Sequence, residues 1–247
     1  MATRRGTLAQ LDFLKPVKFT VAFGFLGLLC LLQVPLWESV PAKLLSFSFA
    51  VAFGGVALAY AGIGARVFLK RADGRLHPLS FVLFWPYHLL NVVSLYLFRW
   101  LSKENPVDEV APNLLLGRRL THRESEQWLD RGVVAVLDLT CEFSETSPFR
   151  ERTHYRCLPV LDTKVPTRDE LDETLVWLKE QTDQGVVFVH CALGHGRSAM
   201  VVATYLLHTN EVASVEDAIR RLTEVRPKIG LSPSQIDLLH QRRTDFR

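Results

Sequence analysis

Acidic residues are nearly missing from the first hundred positions: Asp12, Glu38 and Asp73 stand against ten Lys and Arg, a net of +7. From Leu101 to Arg247 the balance reverses to −4, so the chain's overall +3 belongs to its N-terminal part. The cations there flank apolar runs, a membrane-protein pattern that gives no support to a nucleic-acid partner. Cysteine is scarce, with four in 247 residues. Cys30 falls inside an apolar run, which leaves Cys141, Cys157 and Cys191 as an odd set with no disulfide framework. Cys141 or Cys157 is a possible resolving thiol for Cys191, although small buried residues near strand ends fit both better. The His residues are scattered, and no pair has metal-ligand spacing, so no metal is expected. Internal repeats and low-complexity tracts are missing as well.

What is present first is hydrophobic length. Residues 19–37, 44–65 and 76–98 carry no formal charge, and each is long enough for a bilayer-crossing helix of roughly 20 residues. The second run carries small residues at helical spacing, Gly55 with Ala59 and Ala57 with Ala61, which suits close helix approach. The third holds Pro86, His88 and Asn91 among aromatics; it crosses, lies in the interface or re-enters. The first run is too long for a usual signal-peptide core, although Val40-Pro41-Ala42 loosely resembles a cleavage site. These runs predict a multi-pass integral membrane protein whose partner is the lipid bilayer. Arg4, Arg5, Lys15 and Lys18 precede the first run, and Arg66, Lys70, Arg71 and Arg75 follow the second. Only Lys43 lies between them, so the positive-inside rule puts the N-terminus and the 66–77 loop in the cytoplasm. The rest of the chain faces away from the cytoplasm if the third run crosses, and into it otherwise.

Residues 1–100 thus form a membrane region, and the polar, proline-containing stretch 101–112 reads as a linker. Beyond it, residues 113–247 alternate between apolar strand patterns and capped helices. Strands are predicted at 113–117, 133–139, 155–161 and 186–189. Capping boxes at Thr121–Glu124 and Thr167–Glu170 open two helices, and three more are predicted at 198–208, 214–225 and 233–243. The alternation implies an α/β domain, a mostly parallel sheet flanked by helices, with ligands bound beyond the carboxyl ends of the strands.

At such an end lies the run His190-Cys191-Ala192-Leu193-Gly194-His195-Gly196-Arg197-Ser198. It joins a buried strand to a helix N-terminus, where unpaired N–H groups and the helix dipole attract an anion. Gly194 and Gly196 allow backbone angles that turn amides inward. A cysteine there has a lowered pKa, and Arg197 offers the two-pronged donor that matches phosphate oxygens. The spacing His-Cys-x5-Arg-Ser resembles the signature of the cysteine-dependent protein phosphatases, in particular their small dual-specificity branch, over about residues 113–247.

That resemblance implies a phosphoric monoester hydrolase working through a phosphocysteine, without a cofactor. Cys191 is then the nucleophile. Ala192, Leu193, Gly194, His195, Gly196 and Arg197 hold the phosphate. Ser198 hydrogen-bonds the sulfur, and His190 holds the loop in shape. The proton donor must come from elsewhere; Asp162, just past a strand end, matches the family's general acid. Asp138 is its rival, though packing or loop capping suits it better. Arg226 helps build the site wall or merely closes a helix, and Gln235 aligns too loosely for assignment. A domain this small implies a shallow cleft, and the loop carries no Lys for a polyphosphorylated inositol. The main reading is a membrane-anchored dual-specificity protein phosphatase acting on a phosphorylated protein. The alternative is a phosphatase of a phospholipid monoester such as phosphatidylglycerophosphate or phosphatidate. A phosphate-binding receptor or scaffold without turnover is a third possibility, weakened by the retention of Cys191, Arg197 and Asp162.

Overall fold

A computed structural model describes residues 3–245, with side chains from residue 17 onward. The side chains of Arg4, Arg5 and Lys15, and the last two residues, lie outside that range. The chain divides into two units, one running to Lys70 and adding Leu76–Phe98, the other formed by Arg71–Arg75 and the chain from Arg99 onward.

The first unit is helical. Helices α1 (Thr3–Gln33), α2 (Val40–Leu58) and α3 (Pro78–Leu101) contain three stretches long and apolar enough to cross a membrane. A Cβ on Gly27 of α1 would lie 3.1 Å from the Gly54 nitrogen of α2, so glycine sets how closely these helices pack. The helical path after α2 is broken at Gly62 and Gly64, both at positive φ, and resumes as a 3-10 turn over Gly64–Phe68. Within α3, Phe84 leaves helical geometry two residues before Pro86, whose ring cannot accommodate a regular preceding turn.

The second unit is an α/β domain. Its strands are β1 (Val107–Ala111), β2 (Leu114–Arg118), β3 (Val133–Asp138), β4 (His154–Cys157) and β5 (Val186–Cys191). Their order is β1-β2-β5-β3-β4, with β1–β2 antiparallel and every other pair parallel. β5 occupies the middle, which explains its unbroken Val-Val-Phe-Val run: both faces of a central parallel strand are covered. Helices α4 (His122–Asp130), α5 (Ser147–Arg152), α6 (Arg168–Gln184), α7 (Arg197–His208), α8 (Val215–Val225) and α9 (Pro233–Asp245) complete it. The capping boxes at Thr121–Glu124 and Thr167–Glu170 both form. Every residue of α7 from Arg197 to Leu207 is buried, so this helix forms part of the core.

Two differences from the sequence reading concern the site. The stretch 101–112 is not merely a linker, because it carries β1, closed onto β2 through a turn with Asn113 at φ 61°. Asp108 and Glu109 had masked the apolar pattern there. The fourth strand ends at Cys157 rather than 161. Beyond it Leu158 and Val160 still donate backbone bonds to Asp138 and Leu139, but Pro159 has no N–H for a regular ladder.

Candidate active site

Parallel β3 and β5 are neighbours, so the loops that follow them leave the same edge of the sheet. The loop after β5 is residues 192–196, and four of its carbonyls are engaged, three by other segments and one by the first turn of α7. Ala192 O accepts from Arg119 N (3.1 Å), His195 O from Gly230 N (3.2 Å) and Gly196 O from Met200 N (2.8 Å). Leu193 O accepts from the Arg226 guanidinium at 3.2 Å. Because a peptide unit is planar and trans, a carbonyl turned outward turns the next N–H the other way. Four such peptides form a concave surface of N–H groups at the N-terminus of α7, suited to an anion. Gly194 makes this path possible: its φ is 80°, and a Cβ there would sit 2.6 Å from the Gly117 backbone. Gly196, expected to use the same freedom, has φ −117° and does not need it.

Cys191 is buried, and its sulfur accepts from Ser198 Oγ at 3.2 Å and Gly194 N at 3.3 Å. Burial alone would push this thiol up; the charge of Arg197 and the donors of Ser198 and Gly194 outweigh it and bring it below its ordinary value. The arrangement therefore favours the thiolate over the thiol. Arg197 is also buried, bridged by both oxygens of Glu142 at 2.7 and 2.9 Å. Its Nη1 also reaches Val160 O at 3.0 Å. Its Nε makes no hydrogen bond and lies 3.6 Å from the carboxylate of Asp162, which is exposed. The structure thus brings Cys191, Arg197, Ser198 and Asp162 to one place.

His190 does not face the anion surface. It is buried, stacks on Phe188, and lies 2.9 Å from Glu145 through Nε2, with its Nδ1 3.2 Å from the Cys191 carbonyl. Burial opposes charge on both members of the pair. Their mutual attraction wins, raising His190 above and holding Glu145 below its ordinary value. Asp138 belongs to the same cluster, with ligand-capable atoms of Asp138, Glu145 and His190 all within 4.8 Å. Its oxygens are already taken by Thr140 (2.7 and 2.8 Å) and the Tyr155 hydroxyl (2.8 Å), so it ties the β3 end together. Cys141 bonds Glu142 through its backbone N–H and thiol, and none of the four cysteines is in a disulfide.

Sequence reasoning missed Glu142 and Glu145. No spacing links either to the Cys191 loop, although two acids in a segment after a strand end, among apolar neighbours, were a usable signal. Arg226 resolves in favour of the wall: it is buried, paired with Asp108 at 2.5 Å, and supports the loop at Leu193. Gln235 is buried beside Gly196 and donates to the Lys164 carbonyl at 3.3 Å. The rim is completed by Glu104, 2.9 Å from His195 Nε2 and three residues beyond α3.

The family model for the dual specificity phosphatase catalytic domain matches residues 114–245. The chain belongs to that family. A human phosphatidylglycerophosphatase and protein-tyrosine phosphatase 1 is 31% identical over 142 residues, covering 53% of this chain and 70% of its own. The phosphatidylglycerophosphate phosphatase PTPMT2 of Arabidopsis thaliana is 29% identical over 166 residues, 62% of this chain and 68% of its own. Among solved structures, PTPMT1 in complex with PI(5)P superposes with a TM-score of 0.52 at 27% identity, covering 57% of this chain and 97% of that one. As a member of this family the chain is a cysteine-dependent phosphatase, a phosphoric monoester hydrolase.

Proposed function

We propose that this phosphatase hydrolyses the phosphate monoester of a phospholipid headgroup, of the phosphatidylglycerophosphate type, at a membrane surface. One observation carries the choice of lipid over protein. The rim residue Glu104 follows by three residues the end of α3, where Trp100 and Leu101 are 81% and 64% exposed. An apolar run that ends so few residues before a rim residue along the chain suits a substrate whose own anchor is in the bilayer. The two similar enzymes named for phosphatidylglycerophosphate support the same reading. The loop, without Lys, suits a headgroup bearing a single phosphate monoester.

In this reading the Cys191 thiolate attacks phosphorus, and the S–P bond forms as the bond to the glycerol oxygen breaks. The loop N–H groups and Arg197 Nε take the equatorial oxygens. Asp162 gives its proton to the departing oxygen. Water then attacks the phosphocysteine and passes a proton to Asp162, and the S–P electron pair returns to Cys191. Ser198 steadies the sulfur as it leaves, and Glu142 keeps the guanidinium in plane.

The test is phosphate release by the full chain in mixed micelles, comparing phosphatidylglycerophosphate with phosphatidate and with phosphotyrosine and phosphothreonine peptides. The expected kcat/KM favours phosphatidylglycerophosphate over the peptides by at least about tenfold, a difference of ~1.4 kcal/mol. Faster turnover of the peptides would replace this reading with the dual-specificity one, which the human relative's double name keeps in view. Turnover by Cys191→Ser would remove the phosphocysteine.

A further inference from the structure

The turn between the second and third apolar runs belongs to the catalytic unit. Arg71–Arg75 is a tight turn in which Arg71 N donates to Arg75 O at 2.9 Å and Gly74 N to Arg71 O at 3.0 Å. Gly74 has φ 79°, and a Cβ there would strike the Tyr155 hydroxyl at 2.3 Å. The Gly74 carbonyl accepts from Glu145 N at 2.8 Å, and the Glu145 side chain holds His190. The turn is therefore seated one residue away from the support of the Cys191 loop.

Arg99 is likewise a member of this unit. Its guanidinium meets both oxygens of Glu124 at 2.9 Å and reaches the Arg119 carbonyl at 3.3 Å. Arg75 and Arg99 bracket the uncharged run 76–98 that makes up most of α3. Were α3 to cross a bilayer, these two residues would lie on opposite sides of a hydrocarbon layer about 30 Å thick. The polar domain that holds them both would have to straddle it. A folded α/β unit with charged loops cannot do so.

The composition of α3 agrees. A crossing helix gathers Trp and Tyr near its two ends. Here Trp85, Tyr87, Tyr96 and Trp100 are spread along the length, and His88 and Asn91 flank the midpoint. Asn91 bonds the Tyr87 carbonyl at 3.0 Å and His88 bonds Ser80 at 3.0 Å, while Leu89, Leu90 and Val93 are exposed.

We infer that α3 lies in the membrane interface rather than across the bilayer, so that the phosphatase domain faces the side carrying the 66–77 loop. Two crossings, by α1 and α2, remain. With the basic residues assigned by the positive-inside rule, that side is the cytoplasm. The inference stands apart from the substrate reading, because its tests need no turnover.

Single cysteines are introduced at exposed positions as Glu38→Cys, Ala72→Cys and Asp237→Cys, in a background freed of the native cysteines. A membrane-impermeant maleimide applied to intact cells should label Glu38→Cys only. The other two should label together once the membrane is permeabilised. Labelling of Asp237→Cys with Glu38→Cys, while Ala72→Cys stays protected, overturns the inference. A second measurement uses the same background freed of the native cysteines and reads depth in phosphatidylcholine–phosphatidylglycerol vesicles. A fluorophore on Leu90→Cys, at the middle of α3, should be quenched more by headgroup nitroxides than by chain-end nitroxides. The reverse order places α3 across the bilayer and overturns the inference.

Discussion

Glu142 holds Arg197 with both carboxylate oxygens, at 2.7 and 2.9 Å, in a pair whose members are both buried. The guanidinium is thereby fixed in one plane with Nε left toward Asp162. In the proposed reaction, a phosphate arriving at the loop meets a donor that needs no reorganisation.

This pair sets an acid limit on stability. Burial would raise the Glu142 carboxyl, but Arg197 outweighs it, so Glu142 titrates below its ordinary value of 4.5. A depressed carboxylate contributes fully above that ordinary value and loses the contribution as pH falls through the folded one. Glu142→Gln should therefore lower Tm at neutral pH and converge with the unsubstituted chain in acid, in a thermal scan of both proteins. Glu142→Ala, which leaves a buried cation uncompensated, should cost about 3–5 kcal/mol. Parallel Tm curves that never converge would refute the assignment.

Alkylation by iodoacetamide reports the Cys191 thiolate. Its rate should rise with pH through a midpoint below the ordinary thiol value, for the causes given above. Ser198→Ala removes a hydrogen bond to a charged group, worth about 1.5 kcal/mol, and should move the midpoint up by about one unit. Superimposable profiles would show that Ser198 does not bear on the sulfur.

The two loop glycines should behave differently. Gly194→Ala forces a side chain into left-handed geometry, at about 1–2 kcal/mol, and into the Gly117 backbone at 2.6 Å. The loop must shift, and kcat/KM on an aryl phosphate should fall by about 10²-fold or more. Gly196→Ala meets nothing nearer than 3.6 Å, and should be far milder. Equal losses would mean that φ at 194 is not the constraint.

Asp162→Asn separates leaving groups. With an alkyl phosphate, whose oxygen must be protonated as it departs, kcat should drop by about 10²–10⁴-fold. With p-nitrophenyl phosphate, whose phenolate leaves unaided, the drop should be small. An equal drop on both substrates would move Asp162 from proton donor to structural partner of Arg197.

Much of this was legible because it is local. A buried strand, a glycine-bearing turn and a helix start lie within the residues from Val186 to Ser198, and the capping boxes at Thr121 and Thr167 need only three residues of spacing. β1 was missed since Asp108 and Glu109 interrupt its apolar pattern; Asp108 is there to pair with Arg226, which no neighbouring residue reveals.

The chain order alone brought together the candidate nucleophile, amides and guanidinium for a phosphate, because they follow one another along a single strand–loop–helix unit. Folding decided what steadies them. Glu142 meets Arg197 across 55 positions, since β3 and β5 run side by side and release their loops at one edge. It also decided that residues 71–75, written between two apolar runs, close onto the Glu145 loop, a long-range pairing that no local periodicity encodes.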